Sequence, residues 1–150
     1  MAETDLGHHR VTREIISVFF EVYNKLGFGY LESIYSRGLE RKLRARGFEV
    51  AREYGVQVLL DGEEVGFHRL DLVVDRSVVV EIKSTPRLHP VARRQLYNYL
   101  RATSLEVGLL LHFGPEPKFQ RVFVPTLRPS TFPVAPSDPS DALVRSDITR

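Results

Sequence analysis

The chain contains no cysteine, which removes disulfides, thiol nucleophiles, iron–sulfur clusters and cysteine-ligated zinc from consideration. No apolar run approaches the roughly 20 residues needed to cross a bilayer. The opening MAETDLGHHR lacks the apolar stretch of a secretory signal. A protein without membrane attachment, in a reducing cytoplasmic setting, is the expectation. Charge of one sign is also missing: 21 basic residues face 19 acidic ones, a net +2, too small to announce a nucleic-acid binder. Glycine is absent after Gly114, whereas five of the nine prolines (Pro125, Pro129, Pro133, Pro136 and Pro139) lie from residue 125 onward.

What is present is enough for one domain. A chain of 150 residues can bury about two thirds of its unfolded surface, so a core forms without metal or disulfide staples. From residue 125 the text PTLRPSTFPVAPSDPSD has no apolar periodicity, and its short apolar residues do not offset an ordering cost of ~1–2 kcal/mol per residue. The expectation is a folded domain over 10–124 and a disordered or extended tail over 125–150. No internal repeat is visible.

Within the domain, Val11, Ile15, Ile16, Val18, Phe19, Val22, Tyr23 and Leu26 recur at helical spacing and stop at Gly27. A second helix is predicted over about 31–46, with Leu31, Ile34, Tyr35, Leu39 and Leu43 on one side and Gly47 as its cap. A strand over about 48–60 reaches the hairpin signal Asp61-Gly62. A strand over about 64–74 then turns through Asp75-Arg76-Ser77 into VVVEIK. A third helix follows Pro86 and Pro90 and runs to about Thr103, and GLLLHF (108–113) and FQRVFV (119–124) read as the last strands. The order α-α-β-β-β-α-β-β predicts an α/β fold, a mixed β-sheet flanked by helices.

Charges interrupt the two most apolar strands. Asp71 stands among Leu70, Leu72, Val73 and Val74, and Glu81 and Lys83 interrupt Val78, Val79, Val80 and Ile82. Such strands are usually covered on both faces, and a buried ion costs several kcal/mol unless paired or bound to metal. Alternation puts Glu81 and Lys83 on one face, ~6.6 Å apart by the strand rise. A turn centred on Arg76 places residues 71 and 81 opposite each other, so two carboxylates and an ammonium converge. A divalent cation removes the repulsion between the acids, and hard oxygen ligands suit Mg²⁺ or Mn²⁺. The plainer reading is an ionic cluster in which Lys83 neutralises one acid.

Glu32 and Tyr35, three apart, share a helix face, as do Gln95 and Tyr99, four apart. Gln95 and Tyr99 lie with apolar Ala92 and Leu96, which aims polar groups at the sheet, although both tyrosines also fit as ordinary core residues. Glu32 follows a glycine-rich bend that brings its helix start toward the sheet; it also complements the positive end of the helix dipole. Arg37, Arg41, Lys42, Arg44, Arg46 and Arg52 crowd one stretch against only Glu40 and Glu49. That is either a solvated helix face or, with Arg93 and Arg94, a surface for a phosphate backbone.

Gly29-x-x-Glu32-x-x-Tyr35 resembles the signature of the GxxExxY proteins, a branch of the PD-(D/E)XK nuclease-like superfamily. HRLDLVV (68–74), VVVEIKS (78–84), QLYNYLRAT (95–103) and VGLLLHFG (107–114) follow in the same order, so the likeness spans about 12–124. Leu70 stands where the superfamily name has proline. The resemblance implies a restriction-endonuclease-like core of helix, three strands, helix and strand. It implies Asp71 and Glu81 as metal ligands assisted by the backbone carbonyl of Ile82, with Glu32 extending the acidic cluster. Lys83 would orient the attacking water and steady the transition state, and Gln95 with Tyr99 would support the site.

The expected function is a metal-dependent nuclease hydrolysing phosphodiester bonds in DNA or RNA, with Mg²⁺ or Mn²⁺ as cofactor and nucleic acid as partner, Arg93, Arg94, Arg41 and Lys42 gripping the backbone. The alternative is a catalytically inactive module of the same fold that binds nucleic acid or a protein partner. The sequence leaves a homo-oligomer open.

Overall fold

A computed structural model describes residues 3–125. Two helices, α1 (Glu3–Leu26) and α2 (Glu32–Ala45), precede strands β1 (Val50–Leu60), β2 (Glu63–Val74) and β3 (Val78–Lys83); α3 (Val91–Thr103) then leads to β4 (Val107–Phe113) and β5 (Pro117–Phe123). The five strands form one sheet in sequence order. All neighbours are antiparallel except β3 and β4, which the α3 crossover makes parallel. This is the expected mixed sheet with helices on it. One difference is that α1 begins at Glu3, about two turns before the first apolar repeat at Val11. The expected proline-rich tail lies, apart from Pro125, outside the described residues.

The sheet is covered on both sides, which is why its central strands read as near-continuous apolar runs. On one side Ile15, Val18 and Phe19 of α1 and Leu39 and Leu43 of α2 pack on Leu72, Val74, Val80, Ile82, Leu109 and Leu111. On the other, Ala92, Leu96 and Leu100 of α3 pack on Leu70, Val73, Val79, Leu110 and Val122. Gly108 allows this second contact, because a Cβ there would sit 3.0 Å from Leu96 Cδ1 and 3.1 Å from Leu100 Cδ1.

The alternation of faces breaks once in β2. Leu72 and Val74 belong to the α1/α2 side, yet Leu70, two residues earlier, packs on the α3 side. β1 makes the same change: Val50 lies with α1/α2, whereas Tyr54 and Val56 lie with α3. Between them Glu53 adopts φ 56°, opposite Asp71, flanked by the pairs Arg52↔Leu72 and Tyr54↔Leu70. The β2–β3 ladder also ends here, its last pair being Leu72↔Val80. A local twist thus frees the backbone around Asp71 from regular pairing.

Candidate active site

Side chains complete the interrupted ladder. The Ile82 N–H donates to Asp71 Oδ2 at 2.7 Å, and the Asp71 N–H donates to Glu81 Oε1 at 3.2 Å. Each carboxylate is fixed by one backbone donor, with Asp71 Oδ1 and Glu81 Oε2 outside these two bonds. Glu81 is only 7% exposed. Burial, and next the charge of Glu81, push the Asp71 carboxyl up to about 7. The Ile82 hydrogen bond pulls the other way, and Glu32 (raising) and Lys83 (lowering) are both close enough to add to the balance. Asp71 thus feels Glu81, Glu32 and Lys83 at once.

Glu32 opens α2 on the far side of the bend 27–31. Gly29 holds φ 104° with nothing within 4 Å of where a Cβ would lie, so its backbone angle, not space, calls for glycine. Tyr35 is fully buried and stacks on Phe113 with ring centroids 3.9 Å apart. Its hydroxyl donates to the Gly27 carbonyl at 2.7 Å and accepts from the Tyr30 N–H at 3.3 Å. Tyr35 therefore ties the bend together from the α1/α2 side of the sheet. The Ser84 hydroxyl, next to Lys83, donates to the Tyr30 carbonyl. That bond joins the end of β3 to the loop that delivers Glu32.

On the α3 side, Tyr99 lies flat against His68, ring centroids 3.8 Å apart and planes 3° from parallel. His68 Nε2 is 3.6 Å from Glu81 Oε1. Sequence reasoning missed His68: simple alternation puts it on the face of Leu72 and Val74, and only the change of face at Asp71 turns it toward Glu81. Gln95 is exposed at the edge of the buried stripe Ala92, Leu96 and Leu100, one turn before Tyr99, and makes no hydrogen bond to the carboxylates.

Half of the basic stretch is paired with acids. Lys42 sits 2.9 Å from Glu21, Arg46 reaches both Glu14 and Glu21, and Arg52 pairs with Glu40. Arg44 donates to the Val50 carbonyl. The Lys42 hydrogen bond holds the Glu21 carboxyl below its ordinary range. Of the expected backbone-gripping residues, Lys42 is thus engaged in joining α2 to α1, while Arg41 is exposed on α2. Arg93 donates to the Arg121 carbonyl at 3.0 Å, and Arg94 lies over the Tyr97 ring at 5.0 Å; both are exposed on α3.

Among the described residues no three His, Asp or Glu side chains are gathered into a ready cage for a metal. Two carboxylates still fit a hard cation, since Mg²⁺ keeps several waters and is commonly held by one or two carboxylates plus substrate phosphate. Burial first, and then the Glu81 charge, raise the Asp71 carboxyl, and a bound cation offsets the second of these. No helix among the described residues is long and apolar enough to cross a membrane.

No curated protein matches the chain. Among solved structures, the crystal structure of SSO0001 is similar over 77% of this chain and 55% of its own, with 21% identity and a TM-score of 0.48. The chain thus spans little more than half the length of that protein. The family model of the PD-(D/E)XK nuclease superfamily matches residues 9–122, and the chain belongs to that superfamily.

Proposed function

We propose that the protein is a divalent-metal-dependent nuclease that hydrolyses phosphodiester bonds in DNA or RNA, and that within its superfamily it is one of the GxxExxY proteins. The reading rests chiefly on the interlocked pair Asp71 and Glu81, with Lys83 two residues on along the same strand. A structural salt-bridge cluster would neutralise its acids; here burial and the Glu81 charge leave Asp71 poised near neutral pH. A carboxyl perturbed by burial and a like charge beside it is what a functional site commonly contains, and it supports the reading.

Asp71, Glu81, Glu32 and the Ile82 carbonyl would hold Mg²⁺ or Mn²⁺. Such an ion supplies neutralisation of phosphate charge and a more acidic bound water. Lys83, placed on the α3 face by alternation from Val79, would supply a positive charge suited to the negative charge that grows as water oxygen bonds to phosphorus and the ester oxygen leaves. The backbone donors at Ile82 and Asp71 hold both carboxylates in place before substrate arrives, so little reorganisation is needed. Gly29, Tyr35 and Ser84 fix the loop that carries Glu32.

The test is cleavage of labelled DNA and RNA oligonucleotides with Mg²⁺, Mn²⁺ or EDTA, run beside Lys83→Ala. Metal-dependent products that vanish in the variant, at unchanged melting temperature, support the reading. Products that persist in highly purified Lys83→Ala remove Lys83 from the chemistry. Salt-sensitive binding without products in any metal would make this a binding module of nuclease fold.

A further inference from the structure

We infer that His68 is a positioning residue for Glu81, held in place by Tyr99; the inference rests on the nuclease reading for its consequence, though not for its geometry. His68 Nε2 is buried and has no hydrogen-bond partner, and Glu81 Oε1 lies 3.6 Å from it. A carboxylate can only accept, so the nitrogen that faces it carries the proton, which fixes the neutral ring as its Nε2–H form. A donor left buried and unmade is costly, and closing by well under 1 Å would satisfy it. Packing alone explains the flat stack on Tyr99 but not a buried edge nitrogen 3.6 Å from an acid.

The consequence lies in what Glu81 can do. Its Oε1 already accepts from the Asp71 N–H; a second donor from the α3 side restricts that oxygen from two directions and directs Oε2 away from both. The change of strand face at Asp71 makes this geometry available, since it brings residue 68 to the same side as Glu81 and α3. Tyr99 contributes as the surface that sets the imidazole plane. His68 and Tyr99 thereby form one chain, helix to ring to acid, that would hold a metal ligand without touching substrate.

Steady-state cleavage and Mn²⁺ calorimetry on His68→Ala, His68→Gln and Tyr99→Leu test this. The expected result is a tenfold or greater loss of kcat in His68→Ala with KM within twofold, a matching loss in Mn²⁺ affinity, and partial recovery in His68→Gln, whose amide restores a donor. Tyr99→Leu should move in the same direction. Wild-type kcat and Mn²⁺ affinity in His68→Ala, or no recovery in His68→Gln, overturns the inference. A long-range ¹H–¹⁵N spectrum at pH 8 with EDTA decides it without any activity. His68 should appear as the Nε2–H form, with an Nε2 resonance that moves in Glu81→Gln; an Nδ1–H form, or an unmoved resonance, overturns it. Absence of cleavage in the wild type would count against the nuclease reading alone.

Discussion

Asp71 and Ile82 are joined by a hydrogen bond that replaces a rung of the sheet: the Ile82 N–H meets the Asp71 carboxylate, at 2.7 Å, just past the point where the backbone ladder of β2 and β3 stops. Asp71 is therefore not an ornament on a regular strand. It is a structural part of the seam, and its charge is tolerated there at a cost that depends on pH.

That cost yields a prediction about stability. The Asp71 carboxyl is raised from 3.8 to about 7, so the folded state holds the proton more tightly than the unfolded chain. The favourable contribution is complete below about pH 4 and is lost as pH rises through about 7. In EDTA, Asp71→Asn should therefore melt higher than wild type at pH 8, by about 2–4 °C for each kcal/mol relieved, and the advantage should disappear at pH 4. Thermal unfolding at the two pH values reads this directly. An Asp71→Asn protein that melts lower than wild type at pH 8 would show that the carboxylate is stabilising in the seam.

Metal binding should show the same group from the other side. A cation must displace the proton from Asp71, so apparent Mn²⁺ affinity should climb up to about tenfold per pH unit below 7 and level off above it. Calorimetry at pH 6, 7 and 8 tests this; an affinity independent of pH across that range would exclude Asp71 as a ligand. In Asp71→Asn, affinity should be lost at every pH.

The motif Gly29-x-x-Glu32-x-x-Tyr35 separates into two jobs. Tyr35→Phe removes a buried hydroxyl that satisfies both the Gly27 carbonyl and the Tyr30 N–H, and should cost about 1–3 kcal/mol, visible in chemical denaturation. Ser84→Ala removes only the bond to the Tyr30 carbonyl, at about 0.5–1.5 kcal/mol. Cleavage should fall severalfold in Ser84→Ala, because the loop carrying Glu32 loses its link to β3. Full activity in Ser84→Ala would mean that Glu32 reaches its place without that link.

Much of this was legible in the chain. Element order followed from apolar spacing and from Gly27, Gly47 and Asp61-Gly62, and the turn centred on Arg76 gave the register of the β2–β3 ladder, whose last backbone pair, Leu72↔Val80, lies just before residues 71 and 81. His68 was not legible, because period-two alternation assumes a regular strand and the twist at Glu53 and Asp71 reverses it. The role of Tyr35 was half legible: its helix face was readable, but its hydroxyl bonds to a bend whose path depends on Gly29. The pairing of the basic stretch was not legible for another reason. Composition counts charges, whereas Glu14 and Glu21, distant in sequence, neutralise Lys42 and Arg46 across the α1–α2 contact.

Those ion pairs lead to the last prediction, on where nucleic acid is held. A lysine already bound to an acid releases no counterion when a phosphate arrives, so Lys42→Ala should leave the slope of log affinity against log salt unchanged. Exposed Arg94, on the helix that also carries Tyr99, pairs with no acid among the described residues. Its replacement by alanine should reduce the magnitude of that slope by about 0.7–0.9 for each phosphate that Arg94 neutralises. Binding of a fluorescent oligonucleotide between low and moderate salt, in Ca²⁺ or EDTA to suppress cleavage, measures both. If Lys42→Ala lowers the slope and Arg94→Ala does not, nucleic acid lies along α2 rather than α3, and the packing of α1 on α2 must open to receive it.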